Sequence, residues 1–130
     1  MHHTFSRRLA ILFGVLAPLG ETIRRWDTWR EWPPNFFDDY LMGALLLYAA
    51  FVSYREPRRG QRYLAAAWGF AIGLGYASFF GHLEELMKVG LNAPDPAPIP
   101  HLWVTVIIGV GWLLCILALA TTLKRLPDNP

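Results

Sequence analysis

Ionisable side chains interrupt this chain in few places, and the first to consider is residues 78–88, SFFGHLEELMK, where a long apolar run ends in His82, Glu84 and Glu85. Imidazole and carboxylate together can relay a proton, hold a metal ion or bind a small cation. On a helix His82 and Glu85, three apart, share a side, whereas Glu84 points roughly opposite to His82. Similar residue types recur as Glu21 with Arg24 and Arg25, as Asp38 with Asp39, and as His101. Glu21 and Arg25 have the i, i+4 order that favours an ion pair on one helix. Asp38 and Asp39 stand just after Pro33 and Pro34, where carboxylates cap free amides and suit the helix dipole. Near a helix C-terminus the dipole disfavours Glu84 and Glu85, so capping does not explain them. The chain has no glycine-rich phosphate loop, no Cys-x-x-Cys and no His-Glu-x-x-His.

The elements that must position these groups are legible from composition. Hydrophobic residues make up 54% of the chain and aromatics 15%, and charges are excluded from several long runs, which points to a bilayer. Residues 102–123 hold no charge; as a helix they span about 33 Å, matching a hydrocarbon core of about 30 Å. A span over 36–54 has a charge-free part, 40–54, of about 22 Å, which puts Asp38 and Asp39 at or slightly inside the boundary. A span over 63–83 carries Gly69, Gly73, Ala77 and Gly81 at successive i, i+4 positions, so this face is expected to pack on another helix. The first span, 8–29, opens like a signal peptide, with Arg7 and Arg8 before an apolar run. It lacks an A-x-A site, and its helical pattern continues through Glu21 to about Trp29, so it is read as retained. Measured from Arg8, Glu21 lies about 20 Å along this helix and Arg24 about 24 Å, both within the core thickness. Pro18 predicts a kink one turn before Glu21.

Between the spans, Trp26, Trp29 and Trp32 read as an aromatic belt and Pro33 with Pro34 as a break. Residues 55–62, REPRRGQR, read as a tight hairpin turning on Pro57 and Gly60. The Pro-rich loop 92–100 leads to His101, and a short polar tail, 124–130, closes the chain. The reading is one transmembrane domain over residues 1–130, all-α, an integral membrane bundle of four antiparallel spans.

Basic residues set the orientation. Arg7, Arg8, Arg55, Arg58, Arg59, Arg62, Lys124 and Arg125 fall on one side, and Arg24, Arg25, Arg30 and Lys88 on the other with most of the acids. The positive-inside rule then places both termini in the cytoplasm, in a multi-pass protein of a bacterial-type inner membrane. The net charge of +2 is accounted for as topology signal, so no nucleic-acid partner is expected. The single cysteine, Cys115, excludes an intrachain disulfide and reads as a packing residue.

Polar groups at membrane depth are costly and are site candidates. Glu21, Arg24, Arg25, Asp38, Asp39, His82, Glu85 and His101 are expected to meet in an outward polar cavity. The first expectation is binding or transport of a small ligand or ion, with Glu21, Arg24, Arg25, Asp38 and Asp39 on the path. The second is a divalent metal held by His82, Glu85 and His101, with Glu21 and one of Asp38 or Asp39, in a redox or hydrolytic enzyme. Here His82-x-x-Glu85 runs in the reverse order of the Glu-x-x-His pattern. A haem between His82 and His101 is a third, and a structural accessory subunit a fourth. The expected partners are the lipid bilayer and either further copies of the chain or a membrane complex.

Overall fold

The computed structural model describes residues 2–31, 33–91 and 99–124. Among them are four helices and no strand: α1 (His2–Arg25), α2 (Pro33–Arg55), α3 (Pro57–Val89) and α4 (His101–Leu123). Each helix packs on the next, and α1 also lies against α4. The core between them is built on small side chains, Ala10, Ala49, Ala50, Ala67, Ala71 and Ala118, with Leu46 and Trp68 as its large members. Small residues let helix backbones approach closely, and the one large ring is seated edge-on against Phe13, centroids 6.0 Å apart.

Large apolar side chains cover the outside of every helix: Leu12, Val15 and Leu16 on α1, Phe51 on α2, Phe70 and Tyr76 on α3, Ile107 and Leu113 on α4. Water would disfavour so much exposed apolar surface, and hydrocarbon would not. Helices α2, α3 and α4 are long and apolar enough to cross a membrane. Within helix α1 Arg8 and Glu21 bracket an uncharged run, residues 9–20, that spans only about 18 Å.

Several local expectations are corrected. Helix α1 ends at Arg25, not near Trp29; Thr28 N–H donates to Arg25 O (3.1 Å) and Glu31 N–H to Thr28 O (3.0 Å), so the chain unwinds through tight three-residue turns. Pro57 and Gly60 are not turn residues. Pro57 occupies the first turn of α3, where its missing N–H costs nothing, and Glu56 alone separates α2 from α3. Gly60 lies inside α3 because Ser53 of α2 needs the space: a Cβ there would come within 2.7 Å of Ser53 Cβ. A similar approach joins α1 to α2, where a Cβ on Gly43 would meet Pro18 Cγ at 2.6 Å and Gly14 O at 2.7 Å. Gly14 O is the carbonyl left without its helical donor by Pro18.

The row Gly69, Gly73, Ala77 and Gly81 does not pack on another helix of this chain. All four are exposed, and the three glycines face open space. Contact between α3 and α4 falls instead on Gly75 and Gly109, which receive the Trp112 and Phe79 rings. Trp112 Nε1–H donates to Ile72 O at 3.1 Å, fixing that ring to the α3 backbone. Gly90, at φ +93°, ends α3 in a conformation that side chains resist. Trp32, residues 92–98 of the Pro-rich loop and residues 125–130 of the tail lie outside the described residues.

Candidate functional site

A buried neutral network fixes the level of the helices at one end of the bundle. Trp68 Nε1–H donates to Ser6 Oγ (2.9 Å), Ser6 shares a 2.7 Å bond with Thr122, and Thr122 Oγ1–H donates to Ala118 O (2.7 Å). Because the Thr122 proton is spent on Ala118, Ser6 donates to Thr122, and each donor in the sequence is used once. Gln61 Nε2–H completes the set on Thr122 O at 2.7 Å. Ser6, Gln61, Trp68 and Thr122 are all buried.

Distances along the helices follow from that level at 1.5 Å per residue. Glu21 is fifteen residues from Ser6 along α1, about 22 Å. Asp39 is fourteen residues from Ser53, which contacts Gly60 beside Gln61, giving about 21 Å. His82 is twenty-one residues from Gln61, and His101 twenty-one from Thr122, so both lie about 32 Å away. The sequence candidates thus fall into two groups, one joining α1 and α2 and the other joining α3 and α4.

The nearer group joins α1 and α2. Glu21 is only 8% exposed, and its Oε1 is 3.0 Å from Arg25 Nε, so the i, i+4 pair read from the sequence is formed. Asp39 interacts electrostatically with Glu21, Asp38, Arg24 and Arg25. Asp38 and Asp39 do not cap a helix; α2 starts at Pro33, and both stand half-buried beyond its first turn. Tyr40 O–H donates to Thr22 Oγ1, whose own proton goes to Pro18 O (2.7 Å), so the residues next to Asp39 and Glu21 tie the two helices together. Trp29 folds back on Phe36 and Phe37, with centroids 6.0 Å from each, and covers the start of α2 beside this group.

The farther group joins α3 and α4. The His82 and His101 rings are 5.5 Å apart, and His101 Nε2 lies 3.2 Å from His82 O. A carbonyl only accepts, so His101 carries its proton on Nε2 and donates it. His101 is buried, His82 half-buried. Glu85, three residues on from His82 in α3, is exposed; Glu84 is exposed and pairs with Lys88 at 2.7 Å.

Among the described residues no three His, Cys, Asp or Glu side chains gather as a metal-binding group, so His82, Glu85 and His101 do not form one. Cys115 is buried and free, as a packing residue would be.

Charge divides sharply between the two ends. Among the described residues, Arg7, Arg8, Arg55, Arg58, Arg59, Arg62 and Lys124 stand at the Ser6–Thr122 end, with Glu56 as their one carboxylate. Beyond the bundle centre stand Glu21, Asp27, Glu31, Asp38, Asp39, Glu84 and Glu85, with four cations. Sequence reasoning missed the neutral network altogether. Its only signal was the placing of Ser6, Gln61 and Thr122, neutral hydrogen-bonding residues, near the ends of long apolar runs. Comparison with family models, curated proteins and solved structures finds no match to this chain.

Proposed function

We propose that this chain is a small integral membrane protein that binds or conducts a small ligand or ion through the group formed by Glu21, Arg25 and Asp39, with Arg24 and Asp38 at its edge. The observation that carries the reading is the Glu21 carboxylate, 8% exposed at a depth of about 22 Å in a bundle of apolar helices. Burying that charge costs several kcal/mol, and pairing with a neighbouring guanidinium offsets such a cost only in part. Three carboxylates against two guanidiniums leave the group with a surplus of negative charge, which suits a cation or a proton.

The four helices cross antiparallel in this reading. Among the described residues, the seven-to-one excess of cations at the end holding the start of α1 and the end of α4 supports a cytoplasmic placement of that end in a bacterial-type inner membrane. The His82 and His101 pair then lies at the outer face. Association between copies, or with a larger membrane complex, is supported by the exposed row of Gly69, Gly73, Ala77 and Gly81, a surface that lets a further helix approach closely.

Proteoliposomes containing a pH-reporting dye, given sodium, potassium or magnesium gradients in turn, test the reading. The expected result is an ion-dependent signal that falls at least about ten-fold in Glu21→Gln, the loss of a buried carboxylate from a conducting path. Wild-type vesicles that match empty vesicles for every ion, together with no thermal shift from any of them, would overturn it.

A further inference from the structure

We propose that the arginine-rich end of the bundle holds anionic phospholipid headgroups. The inference rests on the membrane placement above and not on the Glu21 group. Its starting point is how the arginines are seated. The Arg7 guanidinium lies 5.5 Å from the Tyr54 ring centroid, Arg55 lies 5.5 Å from Phe51, and Arg59 lies 5.6 Å from Tyr63. An aromatic face attracts the cation without consuming its N–H donors. Arg59 is partly neutralised by Glu56 at 3.7 Å, but among the described residues Arg7 and Arg55 face no carboxylate. Each therefore keeps a forked set of donors in a fixed place, the geometry that binds a phosphate oxygen pair.

The surroundings select among phosphates. Tyr54 and Phe51 are 73% and 57% exposed and belong to the apolar outer face of α2. An occupant touching these arginines also touches that apolar face, so the matching chemistry is an anionic head joined to hydrocarbon tails. A free phosphate or a nucleic acid would use the charges and leave the rings uncovered. A shallow open depression of about 500 Å³, lined by Glu56, Pro57, Arg58 and Arg59, adjoins the site at the turn between α2 and α3.

The test uses the full chain in nanodiscs of equimolar phosphatidylglycerol and phosphatidylcholine, with the lipids retained on release counted by native mass spectrometry. Phosphatidylglycerol is expected to be enriched by roughly five-fold or more, since each arginine near an anionic surface is worth about that factor. Arg7→Gln with Arg55→Gln should bring the ratio close to one, and Arg30→Gln at the opposite end should leave it unchanged. A wild-type ratio of one, a ratio unaltered by the double substitution, or complete displacement of phosphatidylglycerol by inorganic phosphate or by a short RNA would each overturn the proposal. Alkaline washing of vesicles separates this failure from that of the membrane placement. A chain that stays with the lipid but shows no preference refutes only the headgroup site; a chain that washes off refutes both.

Discussion

Two of the buried polar regions in this bundle are built on opposite principles. At the Ser6–Thr122 level every group is neutral, and its donors and acceptors are matched, from Trp68 through Ser6 and Thr122 to Ala118 O. Such a network costs little to bury once complete, and it ties α1, α3 and α4 in one register. About 22 Å away, Glu21, Asp39 and their neighbours are charged, and the acids outnumber the bases that hold them. Formal charge in that position gains less from pairing than it loses from desolvation. A region that stabilises has no need of formal charge. In the reading proposed above, the first region serves folding and the second binds or conducts.

The contrast is tested most severely at Trp68, which is fully buried. Trp68→Ala removes the largest core side chain and the first donor of the network together, and should cost about 3–5 kcal/mol. Unfolding followed by tryptophan fluorescence and circular dichroism in detergent micelles checks it. Next come Ser6→Ala and Thr122→Val, each expected to cost about 1–3 kcal/mol because it strands a buried partner. The double substitution should cost less than the two added together, by about 0.5–3 kcal/mol. Strict additivity would mean that the two hydroxyls do not act as one network, and the neutral region would lose its role.

The charged group should respond differently. Arg25→Met removes the guanidinium 3.0 Å from Glu21 while the carboxylate stays buried, a loss of about 1–2 kcal/mol after allowing for the partial exposure of Arg25. Glu21→Gln removes the pair and the buried charge together, so its cost should be below about 1 kcal/mol, even though conduction or binding is abolished. Equal losses from the two substitutions would show that Glu21 is a structural ion-pair member, and the contrast between the regions would fail at that point.

How much of this was legible follows from which interactions leave a periodic trace. Helices α2, α3 and α4 were readable because charge is excluded from long apolar runs, and the Glu21 to Arg25 pair because helix geometry alone brings i and i+4 together. The helix ends were misplaced where local chemistry admits two outcomes. Pro57 both breaks a preceding helix and opens a new one, and only the fit of Ser53 against Gly60 selects the second. The row Gly69, Gly73, Ala77 and Gly81 gave the right kind of surface and the wrong location, because small residues on a helix mark close approach without naming the approaching partner. Contacts between distant segments, Ser6 with Thr122 or His82 with His101, have no spacing rule at all. The separation of the site candidates into two groups depends on them, so it was invisible until the helices were in register.

The smallest effect is expected where the two histidines meet. His101→Leu deletes the bond from Nε2 to His82 O, but that carbonyl also faces the Leu86 amide one turn on in α3 and keeps a helical donor. No acceptor is stranded, so the loss should be about 1 kcal/mol, against the larger cost of stranding a partner in the neutral network. It should be confined to the start of α4: hydrogen exchange at residues 102–105 should quicken while the amides around Trp68 keep their protection. His101→Gln, which retains a side-chain N–H, should restore part of the protection. If His101→Leu instead loosened the amides around Trp68 as well, the His82–His101 end would be coupled to the core. Stability would then not be concentrated at the Ser6–Thr122 level, and the division of labour between the two ends would have to be redrawn.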